Sequence, residues 1–229
     1  MNSILKFYDK FITQEGYKLT LEGLKNTAII AVLGLVIGFI IGAVITLIKM
    51  IPSEKKIVKA AKAICAAYVT LFRGTPLVVQ LLLCHFAIFP ALNIDISYVA
   101  EAVIVYGLNS SAYLSEAIRS GINAIDKGQE EAGRALGFGF LATMTKIILP
   151  QAVKNILPTI GNEFIALIKE TSVANLIAVT DLTKSLMAIA NSTYEYFVPY
   201  IVLAIIYLAL VIIISGLLKI LERRSQYDR

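Results

Sequence analysis

The sequence predicts an all-α membrane protein of five transmembrane helices, N-terminus outside and C-terminus in the cytoplasm. Three observations predict it. Hydrophobic residues make up 58% of the 229 residues and the mean hydropathy is +0.77, against about 45–50% apolar in soluble domains. The excess sits in long runs, and five spans of ~20 residues place about 100 residues in lipid, so one membrane domain fills the chain. Finally, the basic residues sort by side. Residues 49–62, 119–146 and 219–229 carry 13 of the 21 lysines and arginines, whereas the opposite side has Lys6, Lys10, Lys18, Lys25 and Lys184. The richer side is assigned to the cytoplasm.

In chain order, residues 1–22 are too charged to span and lack the compact apolar core of a cleavable signal. Phe7, Tyr8, Phe11 and Ile12 suit a short interfacial amphipathic helix. The membrane domain covers 23–218. Its first span, 24–49, carries Gly34, Gly38 and Gly42 at four-residue intervals, a ridge for close helix packing. A second hydrophobic segment, 57–89, is too long for one straight crossing and is interrupted at Arg73-Gly74-Thr75-Pro76. Thr75 reads as an N-cap and Pro76 as the first helical residue, so two helical pieces are expected to meet inside the membrane. The third span is 98–119. A fourth runs from 151 to 179, with Pro158 and Gly161 expected to loosen it. Residues 180–198 read as a polar loop, 197–218 as a lipid-facing span and 219–229 as a basic cytoplasmic tail.

Between the third and fourth spans lies a short polar stretch rich in small residues, 128–140. Glu130 and Glu131 suit the positive end of a helix dipole. Ala132, Gly133 and Ala135 leave room for close approach, and Gly137 suits a helix C-terminus. Such a helix either links two spans or lies against a membrane surface or another protein.

Polar residues at membrane depth are costly, ~2.5–3.5 kcal/mol each for ionisable groups, and mark candidate sites. Three groups qualify. Thr75, Pro76 and Leu77 begin a half-helix whose free amides could hold a carboxylate; the alternative is a kink. Asn162 and Glu163 lie near mid-membrane, about 18 Å past the inner boundary at helical rise. There Glu163 either meets an ammonium group or pairs with Arg73 or Lys169. Asn109, Tyr113 and Glu116 share a helix face, lining a cavity or bonding between helices; Glu116 with Arg119 reads as a structural pair. Cys65, Cys84 and His85 have no metal-ligand spacing and imply no disulfide framework. There is no Gly-x-x-x-x-Gly-Lys-[Ser/Thr] phosphate loop, no second histidine for zinc and no nucleophile elbow. The chain is therefore expected to be no enzyme, and its charge of +5 is not read as nucleic-acid affinity.

The run Glu131-Ala132-Gly133, then Gly137, Ile147 and Leu149-Pro150, resembles the EAA loop of binding-protein-dependent ABC importer permeases, with glycine in the third place where the family has alanine. Arg73-Gly74-Thr75-Pro76-Leu77, residues 112–122, Leu149-Pro150-Gln151-Ala152 and Lys169-Glu170-Thr171-Ser172 are similar to the polar amino-acid subfamily, of the histidine, glutamine and arginine type. The resemblance covers roughly residues 20 to 220. It implies the type I ABC importer permease fold in the cell membrane, a multi-pass protein surrounded by lipid. It also implies a transport subunit for polar, including cationic, amino acids. Glu130, Glu131, Ala132, Gly133, Arg134, Ala135, Leu136 and Gly137 become the coupling helix, docked on a separate ABC ATPase dimer. Implied partners further include a second permease chain, identical or paralogous, and an extracytoplasmic solute-binding protein. No cofactor is expected in this chain; ATP and Mg belong to the ATPase. The expected substrate contacts are Thr75, Pro76, Leu77, Asn109, Tyr113, Asn162 and Glu163; the resemblance supports the half-helix start and the Asn162-Glu163 pair, whereas Asn109 and Tyr113 rest on their shared helix face. The competing reading is an ion-coupled secondary transporter acting without an ATPase, against which stand the coupling segment and the lack of an internal repeat.

Overall fold

The computed structural model describes residues 3–227. Of the charges counted above, Arg229 and the side chain of Arg224 lie outside the described residues. Among the described residues all regular structure is helical.

The chain opens with a short helix, α1 (Ser3–Tyr8), and a π turn over Asp9–Thr13. Ile4, Leu5, Tyr8 and Ile12 are exposed. The Ser3 hydroxyl and Lys6 ammonium donate to Glu195 at 2.8 and 2.9 Å, tying this segment to a distant turn. Helix α2 then runs Gly16–Met50, starting eight residues before the expected boundary at 24. No proline interrupts 16–24, and packing stabilises the added turns. A Cβ on Gly23 would sit 2.5 Å from the Asp181 carbonyl oxygen, and Asn26 Nδ2 donates to the Thr180 carbonyl at 2.8 Å. At ~1.5 Å per residue α2 is about 52 Å long, well beyond a ~30 Å hydrocarbon core.

The small-residue face of α2 packs on α6 (Tyr98–Asn123). Cβ atoms on Gly34, Gly38 and Gly42 would lie 3.3 Å from Tyr106 Cβ, 2.9 Å from Ser110 Cβ and 2.9 Å from the Ser111 carbonyl oxygen. Backbone-to-backbone approach is thus built into the sequence spacing. Thr46 Oγ1 completes the seam by donating to the Gly42 and Ser115 carbonyls at 2.9 and 2.8 Å.

Helix α3 (Lys56–Gly74) and α4 (Leu77–Leu83) meet at the expected break, bent by 106°. The capping differs from expectation. Pro76, not Thr75, holds the N-cap position of α4, and Thr75 ends α3: its hydroxyl donates backward to the Leu71 carbonyl at 2.8 Å. The residue before a proline is driven to extended geometry, and Thr75 has φ −122° and ψ 145°. A π turn over Cys84–Ile88 and the short α5 (Phe89–Ala91) follow. His85 Nδ1 lies 2.6 Å from Glu101 Oε2 on α6.

After α6 come α7 (Lys127–Ala135), α8 (Phe140–Thr143), a π turn over Met144–Ile148 and α9 (Leu149–Glu170). Pro158 and Gly161 do not break α9. The interruption falls later, in a 3₁₀ turn over Thr171–Ile177 ending at Ala178 with φ +64°. Residues 180–198 are not a polar loop either. Asp181 accepts from the Thr183 and Lys184 amides and caps α10 (Leu182–Thr193). Leu182, Leu186, Ile189 and Ala190 form its buried face. Helix α11 (Phe197–Tyr227) is continuous, and its most apolar window buries none of its residues. Among the described residues two helices, α2 and α11, are long and apolar enough to cross a membrane, or up to four spans if each bent pair is one. Helix α6 is too polar to count by composition. Yet its Glu101, Asn109, Ser110, Ser111 and Ser115 are all buried against neighbours.

Candidate functional site

Two features stand apart from packing. One is a cavity of about 420 Å³ where the end of α3 meets the middle of α6 and α9, lined by Arg73, Tyr113, Glu116, Asn155, Thr159 and Glu163 among others. Asn155, Thr159 and Glu163 recur every four residues on α9, so one helix face supplies them. Ser110 on α6 donates to Glu163 Oε1 at 2.8 Å, holding the carboxylate in place. Arg73 lies over the Tyr113 ring, its Cζ 5.4 Å from the centroid. Glu116 at one edge is fully engaged: Lys49 Nζ reaches it at 2.6 Å, and Arg119 donates from Nε and Nη2 at 2.9 and 2.7 Å. The cavity thus presents a guanidinium and a separate carboxylate, with hydroxyl and amide groups between.

Of the predicted substrate residues, the structure brings Tyr113 and Glu163 together here. Thr75, Pro76 and Leu77 do not line this cavity, nor do Asn109 and Asn162. Asn109 serves the broken segment instead. Its Nδ2 donates to Gln80 Oε1 at 2.9 Å, while Gln80 Nε2 donates to the Phe72 carbonyl, the Thr75 carbonyl and Thr75 Oγ1 at 2.9, 3.0 and 2.8 Å. The pair stitches both sides of the 106° bend to α6. Sequence reasoning passed over Gln80, although it is a lone amide in the apolar run Leu77–Leu83. Asn155 and Thr159 were also missed; their spacing to Glu163 was the available signal.

The other feature is α7. Asp126, three residues past α6, caps it by accepting from the Gly128 amide at 2.6 Å. Glu130 and Arg134 pair at 2.6 Å across one turn. The helix ends in a Schellman motif: Gly137 N–H donates to the Arg134 carbonyl at 2.9 Å and Phe138 N–H to the Gly133 carbonyl at 3.0 Å, with Gly137 at φ +81°. Glu131, Ala132, Ala135 and Leu136 face outward, Leu136 being 74% exposed and Leu141 just beyond 73%. Gly133 alone is buried, against Thr143 and Ile147. Its position in the motif is not a neutral exchange for alanine in this chain: a Cβ there would lie 2.7 Å from Thr143 Cγ2.

Residues 55–227 match the family model of the binding-protein-dependent transport system inner membrane component. The chain belongs to this family. This inner membrane component is 42% identical over 204 residues to the arginine transport system permease protein ArtQ of Bacillus subtilis, covering 89% of this chain and 91% of that one. It is 38% identical over 190 residues to the L-cystine transport system permease protein TcyB of the same organism, covering 82% and 80%. A solved amino acid ABC transporter, crystallised with histidines, superposes with a TM-score of 0.84 at 40% identity, covering 93% of the inner membrane component and 98% of that chain. Its fold is that of type I ABC importer permeases.

Proposed function

We propose that this chain is the permease subunit of an ATP-driven importer of polar amino acids, cationic ones included. The observation that carries the reading is the cavity on α6 and α9 that faces a carboxylate and a guanidinium, on the same helix that leads within three residues into α7. The names of its relatives support amino acids as cargo. Helices α2, α6 and α11 and the two bent segments make five spans, with the N-terminus outside, the C-terminus cytoplasmic and the whole in the cell membrane. The domain boundaries are 1–22 outside, 23–218 in the membrane and 219–229 in the cytoplasm.

In this scheme a second permease chain completes the path and an extracytoplasmic binding protein delivers cargo. The chain itself carries no cofactor and is no enzyme. An ABC ATPase dimer binds ATP and Mg and grips Glu130 to Gly137, with the exposed Leu136 and Leu141 adding apolar contact. Closure of the ATPase displaces α7, and α6 carries the movement to Tyr113 and Glu163. Nucleotide state then selects which face is open through differential contacts in the two states. Co-purifying the chain with its ATPase and reconstituting both in proteoliposomes tests the reading. Uptake that requires ATP and the binding protein is expected. Uptake by the chain alone on an ion gradient would overturn it.

A further inference from the structure

We infer that Arg73 anchors the α-carboxylate of the cargo in the cavity it shares with Glu163, which takes the α-ammonium group. This rests on reading that cavity as the substrate path. Arg73 is the last basic residue of α3 and projects where α3 ends. Arg73 is exposed in the single chain, and within the bent segment proposed above as a span a guanidinium is expensive unless something neutralises it. Among the described residues no carboxylate lies within ion-pair distance of it. Of the two carboxylates in the cavity wall, only Glu116 is charge-paired; among the described residues Glu163 has no cationic partner. Glu116 is clamped by Lys49 and Arg119, and Glu163 accepts from Ser110.

What Arg73 does contact is the Tyr113 ring. Beyond this contact Arg73 makes no side-chain hydrogen bond among the described residues, so its planar edge of N–H donors remains available. A planar edge of this kind matches a carboxylate with two parallel hydrogen bonds. Tyr113 thereby acts as the positioning residue, holding the guanidinium at the cavity wall. The expected alternative, the free backbone N–H groups where α4 begins at Leu77, is off the cavity wall, so the carboxylate needs another donor. A free α-amino acid carries one charge for each of the two unmatched groups, and the cavity discriminates against ligands that lack either.

The test is equilibrium binding to the permease–ATPase complex in nanodiscs without binding protein. The probes are L-arginine, L-histidine and L-glutamine and their α-carboxamides, at pH about 6 so that both forms keep a charged ammonium group. The wild-type complex is expected to prefer acid over amide by about 10- to 100-fold, the range for a charge-assisted pair. Arg73→Gln should bring that ratio close to one while leaving amide affinity unchanged, and Arg73→Lys should keep part of it. A ratio that survives Arg73→Gln, or equal weakening of acid and amide, overturns the inference and leaves the cavity reading standing. Loss of the permease pair on sizing in both variants would assign Arg73 to a subunit contact and also overturn it. Failure of the wild type to bind any probe would sink the cavity reading itself.

Discussion

Replacing Gly133 with alanine is the sharpest local perturbation the structure offers. The new Cβ would stand 2.7 Å from Thr143 Cγ2, 2.8 Å from Thr143 Oγ1 and 3.3 Å from Ile147 Cδ1. Thr143 is 1% exposed and β-branched, so it has little freedom to turn away. Overpacking of this kind costs about 1–3 kcal/mol. Alanine returns about 1 kcal/mol of helix propensity, leaving a net loss of about 0–2 kcal/mol, confined to the seating of α7. Removing the obstacle should reverse the sign. In Gly133→Ala/Thr143→Ala the γ atoms are gone, and with them a buried hydroxyl that has no hydrogen-bond partner. Hydrogen exchange of the 127–135 amides reads the effect directly. The single variant should exchange faster, by up to roughly 30-fold for 2 kcal/mol, and the double variant should be at or below the wild-type rate. Slower exchange in Gly133→Ala than in the wild type, or exchange in the double variant no slower than in the single, would refute the packing argument.

Other perturbations separate the remaining roles. Glu131→Lys reverses an exposed charge on α7; it should lower uptake per ATP hydrolysed, or weaken ATPase association, with membrane insertion unchanged in a protease-protection assay. Glu163→Ala should cut uptake of several amino acids alike and leave Ser110 without its partner; unaltered transport affinity and rate would count against it. Gln80→Leu strips partners from Asn109, Thr75 and the Phe72 carbonyl. At about 1–3 kcal/mol for each buried group left unpaired, it should lower the melting temperature well beyond a surface control. The Lys6 and Ser3 hydrogen bonds hold the Glu195 carboxyl below its ordinary value of 4.5. The tie between α1 and that turn is therefore complete above pH 4.5 and released as pH falls through the lowered value. The distance between spin labels placed at residues 4 and 196 should lengthen only at the acid end of a titration.

Local chemistry was legible in the residues. The apolar runs, the glycine ridge of α2 and the glycine stop of α7 at Gly137 each depend on neighbours within one or two turns, so their spacing alone specified them; the Asp126 cap of α7 is equally local but was not read. The break at Thr75 and Pro76 was readable for the same reason, because proline acts on the residue before it. Partner choice was not. Asn109 and Tyr113 lie one turn apart on α6, yet one joins Gln80 and the other carries Arg73. The 106° bend decides that, and it is set by contacts between segments distant in the chain. The same holds at the far end. Pro158 is accommodated within α9, whereas the turn at Thr171–Ile177 and the cap at Asp181 are seated against the early turns of α2. Periodicity states which face of a helix is polar; only the packed structure decides what that face meets. A hydrogen bond or ion pair across 30 to 150 residues leaves no trace in the order of the residues between.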